Sequence, residues 1–469
     1  MTYQVPQHIS KDKIFIVKKS EIEGRLEPNF YKPSIATLER KIRSLSSKRL
    51  REYAQSLAGG ATPSKRESEK YYSDSQIGIP FLRVQNLQTN GELSLNECLY
   101  INEETHNGLL KRSQVSGGDL LVKITGVGRM AIASVAPQNF VGNTNQHMVV
   151  IRTGDSSISK YLAHYLNLDI IERIASRHST GGTRPALDYP SLKNIPIIEG
   201  LDFSIIDDAI KTKKAKENEA QQLLDSIDGY LLNELGITIP RVDSGLESRI
   251  FFSSFSQIEG NRIDPKYNNQ IRYFQELYNS NTWKPLSSVS IVKGQYGANE
   301  SAIEFQEGNT RYIRITDIDE IGNLKNHDKK TAQYIDDVYL LHYGDILFAR
   351  SGSVGKCYFH RDEKPSIFAG YLIRFVLNDK IILPEFLFYY CNSSLYWYWV
   401  DTIHRPAVQS NINAEEYCGL PVPVPLIEKQ QAIVDYIAGI RTRAKVLQEE
   451  GKAILESAKK KVEQMIMGK

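Results

Sequence analysis

Cysteine is scarce in this sequence. Its 469 residues include four cysteines, which lie far apart and form no CxxC pair. This spacing argues against a zinc site or a disulfide framework and suits a reducing cytosol. No apolar run approaches the length of a membrane span, and the N-terminal MTYQVPQHISKDK lacks the apolar core of a signal peptide. We therefore expect a cytoplasmic protein without a membrane partner.

Excess charge of either sign is also small. The formal net charge is +3, and 24% charged with 41% hydrophobic residues is ordinary for a globular protein. A net charge this low does not by itself indicate a polyanionic partner. The length is enough for about three average domains. Any case for nucleic-acid binding has to come from where the basic residues lie.

A complete nucleotide-binding loop is missing as well. GDILFARSGSVGKCYF at 344–359 places glycines before Lys356, as in the GxxxxGK[ST] loop that cradles phosphates with backbone N–H groups. Arg350 stands where that loop needs its first glycine, and Cys357 stands where it needs Ser or Thr. An enzyme that binds nucleotide through the loop at 352–356 is therefore the less favoured alternative, and an ATP titration separates it from a binding protein.

What the sequence does contain is a diverged copy of itself. GDLLVKITGVGRMAIA at 118–133 repeats the design of 344–359. Three more echoes occur in the same order along the chain: GRLEPNFY with NRIDPKYN, PFLRVQNLQTNGEL with RYIRITDIDEIGNL, and YLAHYLN…SLKNIPI with FLFYYCN…EYCGLPV. Because the period is about half the chain, we predict a duplicated domain and not a solenoid.

Each copy is typical of a mixed α/β (α+β) fold. The short apolar runs at 81–84 and 312–315 are typical of strands, and Asn90-Gly91 is a turn signal. YLAHYLN and FLFYYCN have helical spacing. Pro196 and the prolines that begin at Pro421 mark the end of each globular unit, because proline breaks helices and strand ladders.

A long helical pattern follows each unit, at about 203–235 and about 427–467. Each pattern has one apolar stripe, and the stripe of the second is predicted to extend to Met465. A single apolar stripe on a long helix needs a packing partner. The simplest partner is the other stripe, which predicts an antiparallel coiled coil with pseudo-two-fold symmetry; packing of each helix on its own domain is the alternative. The residues predicted to pack between the helices are Ile210, Leu224, Ile227, Leu231, Ile433, Ile437, Ile440 and Leu447.

These features predict the domain organisation. We expect a first globular domain at 1–200, a central helix at 201–236, a linker at 237–250, a second domain at 251–426 and a C-terminal helix at 427–469.

Two diverged units, each ended by a proline stop (IPII at 195–198, LPVP at 420–423) and a long helix, resemble the specificity subunit of a type I restriction-modification system. The resemblance covers nearly the whole chain and rests also on the paired openings, the two GD(L/I)L segments and the closings TRPALDYPSLKNIPI and VQSNINAEEYCGLPV. It implies that each unit is a target recognition domain for one half of a bipartite, asymmetric DNA site. It also implies that the helices set the spacing and dock methyltransferase subunits.

Enzymatic motifs are not found in the sequence. The [DNS]PP[YFW] tetrapeptide of a DNA adenine methyltransferase is missing, as is GxGxxG. We therefore expect a non-catalytic chain without a metal or cofactor of its own. The resemblance implies double-stranded DNA, two methyltransferase subunits and restriction (helicase-nuclease) subunits as partners, with S-adenosylmethionine, ATP and Mg²⁺ in those subunits. A specificity subunit of a related composite (type IIB-like) enzyme remains an alternative.

Helix length is compatible with a split site. A helix of about 35 residues is roughly 50 Å long, and half-sites on one side of B-DNA lie about 34 Å apart per turn. Within each unit, Arg and Lys would contact guanine or phosphate, and Asn and Gln would contact adenine. The alternative for each residue is a solvated surface charge or a salt bridge. The candidates are Arg83, Lys123, Arg129, Arg184, Arg314, Arg350, Lys356, Arg405 and Gln409.

Overall fold

The chain forms two units with separate cores. The computed structural model describes residues 10–239, 250, 252, 262–280, 282–404 and 411–468. Unit 1 is Met1–Glu217 with Gln448–Lys469, and unit 2 is Asn218–Leu447. Most of the predicted linker at 237–250, and the first residues of the predicted second domain, lie outside the described residues. None of the helices in the described ranges is both long and apolar enough to cross a membrane.

Two of the helices are much longer than the others. The central helix, α7, is Ser204–Leu235, and the C-terminal helix, α12, is Ile427–Met467. The shorter helices are α1 Pro33–Leu45, α2 Ser68–Tyr71, α3 Glu103–Asn107, α4 Ser156–Leu166, α5 Asp169–His178, α6 Tyr189–Lys193, α8 Pro265–Leu277, α9 Pro384–Tyr390, α10 Ser394–Ile403 and α11 Ala414–Cys418.

The strands are short and fall within the predicted domains. Those of unit 1 are β1 Lys48–Arg49, β2 Ser56–Gly59, β3 Tyr72–Ser73, β4 Ile79–Leu82, β5 Leu99–Ile101, β6 Gln114–Ser116, β7 Leu120–Lys123, β8 Ala133–Val135, β9 Val141–Thr144, β10 Met148–Arg152 and β11 Pro196–Ile197. Those of unit 2 are β12 Trp283–Pro285, β13 Ser290–Tyr296, β14 Ala302–Glu304, β15 Arg311–Ile313, β16 Lys330–Ala332, β17 Ile346–Ala349, β18 Cys357–Phe359, β19 Ser366–Phe368, β20 Leu372–Leu377 and β21 Pro421–Pro423.

Both units contain the same four-stranded antiparallel sheet. The strand order is β2-β10-β7-β8 in unit 1 and β13-β20-β17-β18 in unit 2. β7 and β17, which begin directly after the two GD echoes, hold the same place in that order. The parallel pair β4–β9 likewise corresponds to β15–β19. The predicted duplicated α/β fold is confirmed.

The strands predicted at 81–84 and 312–315 are wrong in their second halves. β4 ends at Leu82 and β15 ends at Ile313, and a 3-10 turn follows each strand. The side chain of Asn86 accepts the backbone N–H of Arg83 at 2.8 Å, and Asp317 accepts that of Arg314 at the same distance. These local hydrogen bonds replace the ladder bonds that would continue the strands.

The last sequence echo corresponds to one hydrogen bond in each unit. The Tyr165 hydroxyl donates to the Pro196 carbonyl at 2.8 Å, and the Tyr390 hydroxyl donates to the Pro421 carbonyl at 2.7 Å. Both tyrosines are fully buried. A buried phenol needs a partner, so the YLAHYLN/FLFYYCN helices and the proline stops recur together.

The apolar stripes of the long helices pack partly on the domains and partly on each other. Ile210 lies in the core of unit 1, and Leu231, Ile433 and Ile437 lie in the core of unit 2, with Ile227 packed against it. Leu224 and Leu447 join a small cluster around Ala220 and Ala444, and Ile440 is half-buried.

The two long helices run antiparallel. In unit 2, Arg443 pairs with Glu219 at 3.6 Å, the rings of Tyr436 and Tyr230 stack at 4.0 Å, and Lys429 pairs with Glu234 at 3.8 Å. In unit 1, Lys216 pairs with Glu450 at 2.7 Å. Residue numbers fall along α12 as they rise along α7, which confirms the predicted antiparallel pairing.

The apolar stripe of α12 does not end at Met465. That side chain is 68% exposed, whereas Ile466 is 7% exposed. Ala458, Val462 and Ile466 follow one another at steps of four residues, which keeps them on one helix face. The predicted stripe follows a heptad repeat, which averages about 3.5 residues per turn, whereas an α-helix has about 3.6. The heptad positions therefore fall behind the buried face, and by the end of α12 they select Met465 in place of Ile466.

Candidate nucleic-acid interface

In unit 1 the glycine-rich echo forms a loop between β7 and β8. Gly126 and Gly128 have positive φ angles of 121° and 81°, which non-glycine residues rarely adopt. Lys123 is 3% exposed, and its ammonium donates to the carbonyl of Val127 at 2.8 Å. Burial lowers the pKa of Lys123. This predicted DNA contact therefore lies inside the protein and closes the loop on itself.

A second loop lies beside the first. It consists of residues 179–187, which include the start of the TRPALDY segment, and we call it the closing loop. Thr180 and Ala186 exchange backbone hydrogen bonds of 2.7 and 2.8 Å. The N–H of Gly126 donates to the carbonyl of Pro185 at 3.0 Å, so the two loops form one surface. Arg184 lies between the paired residues and is exposed.

Unit 2 repeats this arrangement as far as it is described. The N–H of Ile412 donates to the carbonyl of Arg350 at 2.9 Å, and the equivalent bond in unit 1 joins Leu187 to Ile124 at 2.8 Å. The guanidinium of Arg350 lies over the ring of Tyr296, 4.9 Å from its centroid. The predicted residues Arg405 and Gln409 lie outside the described residues.

Two further candidates tie the glycine-rich loops to neighbouring elements. Arg129 donates to the Asn167 carbonyl at 2.6 Å and pairs with the Asp169 carboxylate at the start of α5. Lys356 is 8% exposed and pairs with Glu320 at 2.7 Å. Both cations already have anionic partners within their own unit, so at these positions the salt-bridge alternative describes the structure.

Arg83 and Arg314 brace a backbone turn. Arg83 donates to the Glu97 carbonyl at 2.6 Å, and Arg314 donates to the Asp328 carbonyl at 3.0 Å. Glu97 and Asp328 both have a φ of 53°, an uncommon conformation for residues other than glycine. Hydrogen bonding to Asp317 raises the pKa of Arg314. The two units thus use one arginine in the same way.

Sequence reasoning missed a tyrosine in each unit. Gly59 and Tyr296 end the equivalent strands β2 and β13, and Tyr189 and Ala414 begin the equivalent helices α6 and α11. A Cβ on Gly59 would collide with the Tyr189 hydroxyl, and the Tyr296 hydroxyl accepts the N–H of Ala414 at 3.1 Å. The aromatic ring therefore comes from the helix in unit 1 and from the strand in unit 2. Comparison of the repeated segments does not reveal this exchange.

The surface of unit 1 thus presents Arg184, and that of unit 2 presents the Arg350–Tyr296 pair. Guanidinium groups on loops can donate to phosphate oxygens or to guanine edges. Within the described ranges, no group of three or more His, Cys, Asp or Glu side chains is arranged to hold a metal ion. Of the predicted contacts that the structure describes, Arg184 and Arg350 are thus available to an anionic ligand.

Comparison with known proteins matches the two units separately. The family model described as Type I restriction modification DNA specificity domain matches residues 45–199 and 281–451. The EcoBI specificity subunit of Escherichia coli is 27% identical over 157 residues, which span 33% of this chain and 31% of that protein. The chain thus aligns with about a third of that curated relative.

Solved structures with similar chains include the HsdS subunit of Thermoanaerobacter tengcongensis, with 13% identity, a TM-score of 0.31 and coverage of 89% of this chain and 95% of that one. The type I restriction-modification S subunit of M. genitalium gives 13% identity, a TM-score of 0.36 and the same two coverages.

Proposed function

Because this chain belongs to the type I restriction modification DNA specificity family, we propose that it selects the DNA sequence on which a restriction-modification complex acts. Each unit reads one half of a bipartite site in double-stranded DNA. The proposal rests on one observation: the two units share the same sheet and the same adjoining loops, but they carry different exposed side chains. A shared frame with unlike contact surfaces supports two unlike half-sites.

The long helices set the spacing between the half-sites in this proposal. α7 has 32 residues and α12 has 41, and their antiparallel pairing gives a stiff element. A segment of about 32 helical residues is roughly 48 Å long. That length is sufficient for two contacts separated by a turn of B-DNA, about 34 Å. The bases between the half-sites are left unread.

The chain supplies recognition and leaves the chemistry to partners. Two methyltransferase subunits would bring S-adenosylmethionine, and restriction subunits would bring ATP and Mg²⁺. The four cysteines are free thiols and DNA is the ligand, which supports a cytoplasmic location.

Methylation mapping tests the proposal. Genomic DNA from cells with and without this gene is compared, and methylated adenines are collected into a consensus. We expect a methylated consensus of two unlike blocks with a fixed gap, which disappears with the gene. An unchanged methylation pattern in a host whose methyltransferase is active would contradict the proposal.

A further inference from the structure

The opening echo places an arginine at the end of a helix in unit 1. Nη1 of Arg25 lies 3.4 Å from the carbonyl oxygen of His178, and Nη2 lies 3.1 Å from that of Ser179. His178 ends α5, and Ser179 is the first residue of the closing loop. The last carbonyls of a helix lack intrahelical donors and carry partial negative charge, so a guanidinium is a suitable partner.

Several contacts fix the conformation of Arg25. Its guanidinium carbon lies 4.7 Å from the ring centroid of Phe30, and its Nε lies 3.5 Å from Glu27. Its own carbonyl accepts the Tyr31 hydroxyl at 2.7 Å. The side chain is 21% exposed. The ring and the carboxylate orient the fork of Arg25 towards the start of the closing loop, and the Tyr31 hydroxyl holds the backbone of Arg25.

Unit 2 contains the same set of contacts around Arg262. Its Nη1 donates to the carbonyl of Ile403, the last residue of α10, at 2.8 Å. Its guanidinium carbon lies 3.9 Å from the Tyr267 ring centroid, and its Nε lies 3.0 Å from Asp264. Its carbonyl accepts the amide of Asn268 at 2.8 Å. The contacts recur although the surrounding residues differ in type: Glu27, Phe30 and Tyr31 in unit 1 correspond to Asp264, Tyr267 and Asn268 in unit 2.

Arg25 thus holds one end of a loop whose other parts are also held. The middle of the closing loop is bonded to the glycine-rich loop through Gly126 and Pro185. Its far end leads into α6, where the Asp188 carboxylate accepts the N–H of Ser191 at 2.7 Å. The start of the loop is bonded to a side chain from the opening echo, which lies more than 150 residues earlier in the sequence.

We propose that Arg25 is a positioning residue for DNA recognition by unit 1, because it clamps the start of the closing loop before DNA binds. The inference rests on the proposed function and adds to it the residue that preorganises the loop carrying Arg184. A loop that is already ordered does not lose conformational freedom on binding. Loss of the clamp should weaken selective binding by roughly tenfold.

The test uses Arg25→Lys in the full-length chain. Lysine keeps the charge but loses the planar fork and the ring stacking. Hydrogen exchange is followed at residues 179–187. In parallel, the chain with its methyltransferase partners selects sequences from a pool of randomised DNA duplexes. We expect faster exchange in the closing loop and loss of sequence preference in one block only, with the other block unchanged.

Arg177→Lys is the matched control. Arg177 lies on the same Phe30 ring at 4.4 Å, but it donates to the Phe30 carbonyl and to Glu39 and not to the end of α5. R177K should not abolish the sequence preference of either block. Arg262→Lys is the companion variant, and it should leave intact the block that R25K loses.

The outcomes are distinguishable. If R25K loosens the loop while both blocks stay sharp, or if R177K removes the same block, the clamp is overturned and the proposed function stands. If R25K unfolds, loss by R262K of the block contributed by unit 1 would likewise overturn the clamp. If the wild-type chain selects no split sequence, the proposed function fails and the clamp fails with it.

Discussion

The backbone N–H of Ser394 donates a hydrogen bond to Oδ1 of Asp228 at 2.9 Å, and the Ser394 hydroxyl donates to the second carboxylate oxygen. Asp228 lies in α7, and Ser394 begins α10, so the central helix caps a helix of unit 2. In unit 1, Glu463 of α12 accepts the backbone N–H groups of Asp169 and Ile170 at the start of α5. In each unit, a carboxylate from a long helix thus caps the start of a shorter helix. The carboxylate comes from whichever long helix lies farther away along the sequence.

Removal of the Asp228 carboxylate should destabilise unit 2. Asp228→Ala leaves the backbone N–H of Ser394, the first of α10, without its acceptor, and loss of such a cap costs about 1 kcal/mol. Trp283, Trp397 and Trp399 all lie in unit 2, so tryptophan fluorescence during urea unfolding reports on that unit alone. Asp225→Ala, an exposed position on the same helix, should change little. Equal effects of the two variants would argue against the cap.

The end of α12 should be part of the core of unit 1. Leu455 is 4% exposed in that core, and Leu455→Ala should lower the free energy of unfolding of unit 1 by about 2–5 kcal/mol. Met465 is 68% exposed on the same helix, and Met465→Ala should cost less than about 0.5 kcal/mol. Circular dichroism follows the whole chain, and the tryptophan transition of unit 2 should stay unchanged. A shifted tryptophan transition in L455A would contradict this assignment.

Acid should destabilise unit 1 through Glu39. Burial alone would raise the pKa of this carboxyl, but hydrogen bonds and charges from His178 and Arg43 hold it at about 2. Because the folded pKa lies below the unfolded value of 4.5, the stabilisation is complete above pH 4.5 and is lost as the pH falls to about 2. The contribution is roughly 3 kcal/mol.

Comparison of wild type with Glu39→Gln tests this expectation. Urea unfolding followed by circular dichroism at several pH values should show a difference in stability that shrinks as the pH falls from 4.5 to about 2. A difference that does not depend on pH would show that the ionised carboxylate is not the stabilising group.

Arg184 is expected to contact DNA directly. It is exposed on the closing loop, and Arg184→Gln should weaken binding to the selected duplex without changing the unfolding curve. If the contact is to a phosphate, the slope of log affinity against log salt should fall by about one. Arg51→Gln, an exposed arginine of the same unit outside both loops, is the control. Equal affinity of R184Q and wild type would exclude the contact.

The repeated fold could be predicted from sequence because the echoed residues make the contacts that hold each unit together. Tyr165 and Tyr390 bind proline carbonyls, and Arg25 and Arg262 bind helix ends, so divergence of the two copies leaves these residues recognisable. Residues that hold a frame are constrained in both copies by the same geometry. This is why repetition in the sequence predicted the topology well.

The candidate interface could be predicted only in part, for the same reason. Lys123, Arg129 and Lys356 attracted attention because they lie in echoed segments, yet each has an internal partner that helps to form the frame. Surface contacts are expected where the copies differ, as with Tyr296 and Tyr189, which come from opposite elements. Sequence spacing alone does not show which cation faces a carboxylate in the folded chain.

Selection of sequences from a randomised duplex pool, by the full-length chain with its methyltransferase partners, tests the central claim most directly. Wild type is compared with a variant that carries seven extra residues in each long helix, after Glu217 and after Leu447, where the chain passes between units. We predict two unlike blocks of specified bases, with a gap that widens by about three base pairs in the variant while the blocks stay the same. A single continuous block, or a gap that does not respond to helix length, would contradict the account.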